Sequence, residues 1–282
     1  MSAVIGIDIG GSTTKIVAIN SNTGAITEPM VVSANDPLTG AYGAFGRFTD
    51  ENRLDIKDIS KVMITGVGSS YVKRDLYGLE CKRVPEFDSI GRGGIYLSGL
   101  DDALVVSMGT GTAVVHAKAD GYIKYLGGTG VGGGTIVGLS KLLLGAETTE
   151  HIAKYAEGGN LNNIDLRIKD ITAPGSMSAL ASDMTAANFA GLSDLATKDD
   201  IALGIMNMVF ETVAMVSMFA ARSVGVTDIV LTGNVTEFEY CKRKFDEINS
   251  MREIYGVRFL IPEYSRFATV IGAALHGRGG DE

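Results

Sequence analysis

A chain of 282 residues, 45% hydrophobic and 21% charged, has the length of two ordinary domains or one large one and a globular composition, neither disordered nor fibrous. Lys and Arg number 25 against 33 Asp and Glu, a formal net charge of −8 that excludes wrapping a nucleic-acid backbone but not a local pocket for a small phosphate. The only cysteines, Cys81 and Cys241, exclude a disulfide framework and a four-thiolate zinc site within one chain.

The opening MSAVIGIDIGG has neither the basic region nor the apolar run of a signal peptide. The apolar stretch 201–221 is interrupted by Asn207 and Glu211 and reads as short of a clean membrane span. The expected setting is the reducing cytoplasm, with no membrane partner.

In chain order, residues 3–8 read as an apolar strand and 13–20 as an alternating one, joined by the glycine turn Gly10-Gly11-Ser12. Strand-like runs recur at 61–65 and 103–107. After the latter the opening pattern returns: the turn Gly109-Thr110-Gly111-Thr112, an alternating 113–117, and a third strand at 122–126. Two copies of strand, glycine hairpin, strand predict two similarly built α/β domains facing each other across a cleft. Helical periodicity covers 89–100, 134–144, 199–224, 237–249 and 267–276, with Thr197 or Asp199 as the N-cap of the longest. Its methionines, Met206, Met208, Met215 and Met218, read as core or dimer packing. Strands are expected at 229–232 and 257–261.

The 37 glycines, against 5 prolines, cluster just after apolar β-branched runs. Each alone is equally well a turn. Several together, rich in Ser and Thr, favour a phosphate site, because glycine lets backbone N–H groups approach a ligand. Asp8, ending a strand beside Gly10-Gly11-Ser12-Thr13-Thr14-Lys15, suits Mg²⁺ held directly or through water; the alternative is a carboxylate capping its own turn. The run Gly127 to Gly134 enters a helix whose free N–H groups would make an anion site. Its G-x-G-x-x-G at Gly128, Gly130 and Gly133 lacks the acidic strand end of a dinucleotide fold, and no P-loop occurs. In Val84-Pro-Glu-Phe-Asp-Ser89, Asp88 reads as a helix cap, whereas Glu86 is a poor cap and a candidate general base. None of His116, His151 and His276 has metal-ligand spacing.

GIDIGGSTTK (residues 6–15) resembles the first phosphate loop of the acetate kinase, sugar kinase, Hsp70 and actin superfamily. Along nearly its whole length the chain resembles a type II pantothenate kinase. The matching stretches include PEFDSIGRGG, VSMGTGTAVVH, GGTGVGGGTIVGLSKLLLG, DMTAANF and IVLTGN. The resemblance implies an α/β fold of two ribonuclease H-like (actin-like ATPase) domains facing each other across a nucleotide cleft, divided as 1–100 and 101–282, the latter with the dimerisation helix. It implies a homodimer that uses ATP and Mg²⁺ to phosphorylate the primary hydroxyl of pantothenate, the opening step of coenzyme A biosynthesis.

By position, Glu86 matches the catalytic base, and Asp8, Gly10, Gly11, Ser12, Thr13, Thr14 and Lys15 the first nucleotide loop, with Asp8 near the metal. Thr110, Gly133, Gly134, Thr135, Ile136, Val137 and Asn234 match further nucleotide contacts, Asn234 replacing a small hydroxyl residue. Thr149 falls where a bacterial relative has a nucleotide-contacting tyrosine. Tyr125, Thr185 and Asn188 fall at the acceptor. Tyr125 stands where the family carries an arginine, whose bidentate charge-assisted bonds a tyrosine cannot make. Either Arg266 or Arg92 replaces that charge, or the acceptor is a neutral relative such as pantetheine. Two other readings share the opening motif: an ATP-driven activator of the 2-hydroxyacyl-CoA dehydratase type, which requires cysteines bridging an iron–sulfur cluster, and a catalytically silent ATP sensor.

Overall fold

The computed structural model describes residues 2–11, 13–33, 36–173 and 182–278. In the first sheet β1 (Ala3–Ile9) pairs antiparallel with β2 (Thr13–Asn20), which carries β3 (Met30–Ser33) on its outer edge; β4 (Ile59–Thr65) and β5 (Cys81–Arg83) run parallel on the other side of β1. The second sheet starts with the antiparallel β6 (Asp102–Met108), β7 (Thr112–Lys118) and β8 (Ile123–Thr129). A two-stranded ribbon of β9 (Leu166–Arg167) and β10 (Thr185–Ala187) interrupts the sequence. The second sheet is then completed by β11 (Asp228–Thr232), parallel to β6, and β12 (Arg258–Leu260). The strand orders, β3-β2-β1-β4-β5 and β8-β7-β6-β11-β12, are one topology used twice. The repeat of strand, glycine hairpin, strand read from the sequence is therefore a repeat of whole sheets.

The helices are α1 (Pro37–Glu51), α2 (Glu86–Ser98), α3 (Gly133–Leu144), α4 (Thr149–Glu157), α5 (Ile168–Ile171), α6 (Lys198–Val224), α7 (Glu239–Ser250), α8 (Arg252–Tyr255) and α9 (Ala268–His276). Helix α1 was not anticipated, because its glycines at 40, 43 and 46 depress helix propensity. It forms nonetheless: Asp36 caps it by accepting from the Thr39 N–H at 2.7 Å, Pro37 opens it, and Phe45 and Phe48 are buried. They pack on the Ile5, Ile7, Ile9 and Ile16 face of the first sheet.

Period-two alternation puts Val4, Gly6 and Asp8 on the opposite face of β1. That face is covered by α9, through Val270, Ile271 and Ala274 against Val4, Val17 and Ile19. Helix α2 follows the first sheet in sequence but covers the second, through Ile90 and Ile95 against Val105, Val115 and Ala117. The two helices thus exchange sheets and cross. At the crossing Gly93 lies against the backbone of Ala268, and Gly272 against that of Ser89 and Gly93, with no room for a side chain.

Helix α6 corrects the reading of the 201–221 stretch: it is a continuous helix long and apolar enough to cross a membrane by length and composition. Its apolarity has an internal use. Val209, Phe210 and Val213 pack against Leu104, Val106 and Leu231 of the second sheet, and 67% of its most apolar window is buried. Asn207 and Glu211 do not interrupt it, because each finds polar partners. Asn207 donates to Asp165 at 2.8 Å, and Glu211 accepts from Lys244 at 2.9 Å.

Candidate functional site

Both glycine hairpins and the C-terminal ends of β4 and β11 point into one cleft, which holds two adjoining cavities of about 490 and 650 Å³. Thr13, Gly109, Thr110 and Asn234 line both, so the turns form the passage between them. The smaller cavity carries Asp8, Lys15, Glu86 and Tyr125; the larger carries Val137, Thr149, Glu150, Glu237, Phe238 and Arg266.

Asp8 reaches the smaller cavity because it is on the α9 face of β1 at the strand's end. Opposite it in the β1–β2 register is Lys15, only 8% exposed, whose Nζ donates to the Arg266 carbonyl at 2.9 Å. Burial raises the Asp8 carboxyl above the ordinary aspartate range, a rise partly offset by Lys15. Burial likewise pushes the Lys15 ammonium down, against the pull of Asp8. Gly66, with φ of 85°, leaves space for the Asp8 carboxylate, since a side chain there would run into it.

Glu86 is the first residue of α2, and with Ile90 one turn on it faces the same cavity. Its carboxyl is raised first by burial and then by the negative charge of Asp8. Asp88 does not cap the helix: Pro85 occupies the N-cap and makes no side-chain bond there. Beside Glu86, Phe87 stacks on Tyr125 with ring centroids 3.9 Å apart and planes 11° apart. The wall next to the candidate base is thus a neutral aromatic pair.

Of the other residues read from the sequence, Gly10, Gly11, Thr13 and Lys15 line the smaller cavity, and Gly133, Gly134, Val137 and Thr149 the larger. Ser12 lies outside the described residues. Thr14 and Ile136 line neither cavity. Thr14 is 3% exposed on the α1 face of β2, and Ile136 is fully buried in the core of the second half. Thr135 also lines neither; its Oγ1 accepts from the Gly132 N–H and donates to the Gly130 carbonyl, closing the turn before α3. The anion site expected at the start of α3 is not free either. The Gly133 and Gly134 N–H groups donate to the carbonyls of Gly109 and Thr110, each at 2.8 Å. These glycines dock the helix onto the second hairpin at a distance no Cβ would allow.

Thr185 and Asn188 are away from both cavities, each donating to Glu211 on α6, at 2.9 and 3.0 Å. Glu211 stood out in the sequence only as an interruption of the apolar stretch, and Glu237, Phe238 and Ser33 of the larger cavity not at all; an isolated residue carries no motif. Arg92 lines neither cavity, and Arg266 lines the larger one, away from the Tyr125 wall. Among the described residues no group of three or more His, Cys, Asp or Glu is arranged to hold a metal. A single buried carboxylate suits Mg²⁺, which keeps several waters and takes its remaining ligands from substrate phosphates.

The Fumble family model matches residues 101–256, from the first strand of the second sheet to the turn after α8. The chain belongs to the Fumble family. Type II pantothenate kinases are its relatives: that of Bacillus anthracis is 30% identical over 244 residues, 83% of each chain. That of Oceanobacillus iheyensis is 32% identical over 167 residues, 56% of this chain and 62% of that protein. The solved structures it resembles share the actin-like ATPase fold at lower identity. The (R)-2-hydroxyglutaryl-CoA dehydratase component A of Acidaminococcus fermentans superposes with a TM-score of 0.69 at 18% identity, covering 98% of this chain and 97% of that one. The activator of 2-hydroxyisocaproyl-CoA dehydratase from Clostridium difficile, solved with ADPNP bound, gives 0.66 at 18% identity, covering 98% and 94%. This Fumble-family chain therefore combines sequence similarity to the first group with the fold of the second.

Proposed function

We propose that this protein is an ATP-dependent kinase acting on the primary hydroxyl of pantothenate, the first step of coenzyme A biosynthesis, with Glu86 as the general base. The observation that carries the reading is that Glu86 and Asp8 share one cavity with both glycine turns. The adjoining cavity, reached between those turns, is the side for the nucleoside, next to Val137, Thr149 and Phe238. The division into 1–100 and 101–282, a cytoplasmic setting and a homodimer accompany this reading.

Asp8 is the residue to hold Mg²⁺, whose charge would offset that of the phosphates. The chain's own groups do the rest. Glu86, ionised, accepts the proton of the acceptor hydroxyl as its oxygen attacks the γ-phosphorus; the bond from that phosphorus to the β–γ bridging oxygen breaks, and ADP leaves. The raised Glu86 carboxyl makes it a better proton acceptor than an ordinary glutamate. Lys15 and the hairpin backbone steady the phosphates, and approach of the two sheets excludes water.

A second reading, a neutral acceptor such as pantetheine, is favoured by the Phe87–Tyr125 stack. Among the described residues, the charged ones lining the acceptor-side cavity are Asp8, Lys15 and Glu86, which offer a carboxylate little welcome. The dehydratase-activator reading is weaker despite the shared fold. Cys241 is buried within the core of the second half with its thiol pushed well up by burial. Cys81 sits in the first sheet, bonded to the Leu76 N–H. Neither suits a thiolate ligand shared with a partner.

The test is Mg-ATP turnover with pantothenate and pantetheine side by side, products identified by mass. Glu86→Gln should lower turnover about 10²- to 10⁴-fold while leaving ATP binding nearly intact. Full turnover in that variant would sink the base assignment. Nucleotide binding with no product from either alcohol would replace the kinase reading by another acceptor or a sensor.

A further inference from the structure

The cleft is short of positive charge for the ligand it is read to take. Among the described residues, the charged ones lining it are Asp8, Glu86, Glu150 and Glu237 against Lys15 and Arg266. A polyphosphate remains anionic after one divalent ion has bound, so both cations matter. Lys15 is already committed: one of its Nζ hydrogens goes to the Arg266 carbonyl.

Arg266 is differently placed. Its Nε is buried and has no hydrogen-bond partner among the described residues. A guanidinium N–H left unpaired inside a protein is costly. The residue as a whole is only half-buried and lines the larger cavity, where it is the one cation among the described lining residues. The planar fork matches the oxygens of a phosphate bidentately.

The backbone around Arg266 is held from both halves of the molecule. Its carbonyl accepts from Lys15 of the first hairpin. The neighbouring Ser265 carbonyl accepts from the Gly233 N–H at 3.0 Å, and the Ser265 and Thr236 hydroxyls are 2.8 Å apart. Tyr264, just before, takes a left-handed conformation at φ of 59°, an uncommon geometry for a residue with a side chain. Gly233, bonded into the same knot, is followed directly by Asn234 in the passage between the cavities.

We propose that Arg266 is a nucleotide-binding residue that grips the phosphate chain from the nucleoside side of the cleft, rather than a substitute for the missing acceptor cation. This rests on the reading that the cleft takes a nucleotide. It makes the turn 264–267 a phosphate clamp that also carries the hydrogen bond positioning Lys15.

The experiment is direct calorimetric titration of the full chain with Mg-ATP and with adenosine, for wild type, Arg266→Gln and Arg266→Lys. Charge-assisted hydrogen bonds of this kind make the expected weakening of Mg-ATP in Arg266→Gln roughly tenfold to a hundredfold. Adenosine affinity should be unchanged, and Arg266→Lys should fall between. In turnover, KM for ATP should rise while KM for the alcohol stays level. Unchanged Mg-ATP affinity overturns the assignment, as does an equal loss for adenosine, or a loss carried by the alcohol's KM. Melting curves and Arg266→Lys separate ligand loss from misfolding. Wild-type protein that binds no nucleotide overturns this proposal and the kinase reading together. Wild type that binds Mg-ATP but phosphorylates neither alcohol sinks only the kinase reading, and the titrations still decide Arg266.

Discussion

Replacing Gly272 by alanine puts a methyl group into the crossing of α2 and α9. That carbon would lie 2.7 Å from the Gly93 nitrogen and 2.8 Å from the Ser89 carbonyl carbon, whereas ordinary contact begins at 3.4 Å. The obstacle is backbone on both sides, so no side chain can swing away. The helices must part by more than about 0.7 Å, the difference between 2.7 and 3.4, because the Ser89 carbonyl oxygen lies nearer to that carbon than the Gly93 nitrogen does. Overpacking of this kind costs about 1–3 kcal/mol. Ser89 is one turn from Glu86, so the displacement travels to the candidate base, where a misplacement near 1 Å is worth up to about 10²-fold in rate. We expect Gly272→Ala to melt several degrees lower and to lose roughly tenfold to a hundredfold in kcat. The assay pairs thermal melting with steady-state turnover. Gly138→Ala is the control: its Cβ meets nothing within 4 Å on α3, so the helix should gain about 0.5–1 kcal/mol. Wild-type kcat and melting temperature in Gly272→Ala would refute the argument that this contact sets the position of α2.

Three further outcomes follow from the site. Because burial and Asp8 both raise the Glu86 carboxyl, kcat/KM should fall on acidification with a midpoint above the ordinary glutamate value of about 4.3; in Asp8→Asn, any residual activity should show that midpoint shifted down. Asp8 is itself held above its unfolded pKa, so its stabilising share is complete below the unfolded value and is lost as pH rises through the folded one. Asp8→Asn should therefore melt higher than wild type at neutral pH while losing Mg-dependent nucleotide binding, and equal melting temperatures at pH 7 would contradict the buried charge. Tyr125→Arg, scored by product mass with both alcohols, should shift kcat/KM toward pantothenate over pantetheine by roughly tenfold to a hundredfold, the worth of a charge-assisted bond. An unchanged ratio would mean that the Phe87–Tyr125 wall does not face the acceptor's far end.

Much of the architecture was legible because the hairpins announce themselves. The second strand, Thr13–Asn20, has the bounds that its alternation predicts, and the repeated Gly/Thr turn foretold a repeated sheet. The short edge strand β3 was invisible, since the neighbouring strand's open edge, not its own few residues, makes it a strand. Helix α1 hid behind three glycines although Asp36-Pro37 marked its start. Motif carry-over was least informative about which way a side chain points. Thr14 and Ile136 sit inside matching motifs yet face the core, which strand alternation and the helical period state if applied residue by residue. Gly133 and Gly134 showed the same limit: a glycine-rich helix start serves a close approach of backbone as readily as an anion, and here the hairpin carbonyls make that approach.

The exchange of α2 and α9 between the two sheets has a consequence for biosynthesis. Translation delivers the first sheet early, yet the cover for Val4, Val17, Ile19 and Met63 is among the last described residues to leave the ribosome. Until then one face of that sheet has no apolar lid, and the nascent N-terminal half stays unfinished or sheltered while some 170 residues are still being added, the stretch between α2 and α9. Completion of α9 closes that face, so a nascent chain stalled before α9 would expose an adhesive sheet face rather than release a folded half.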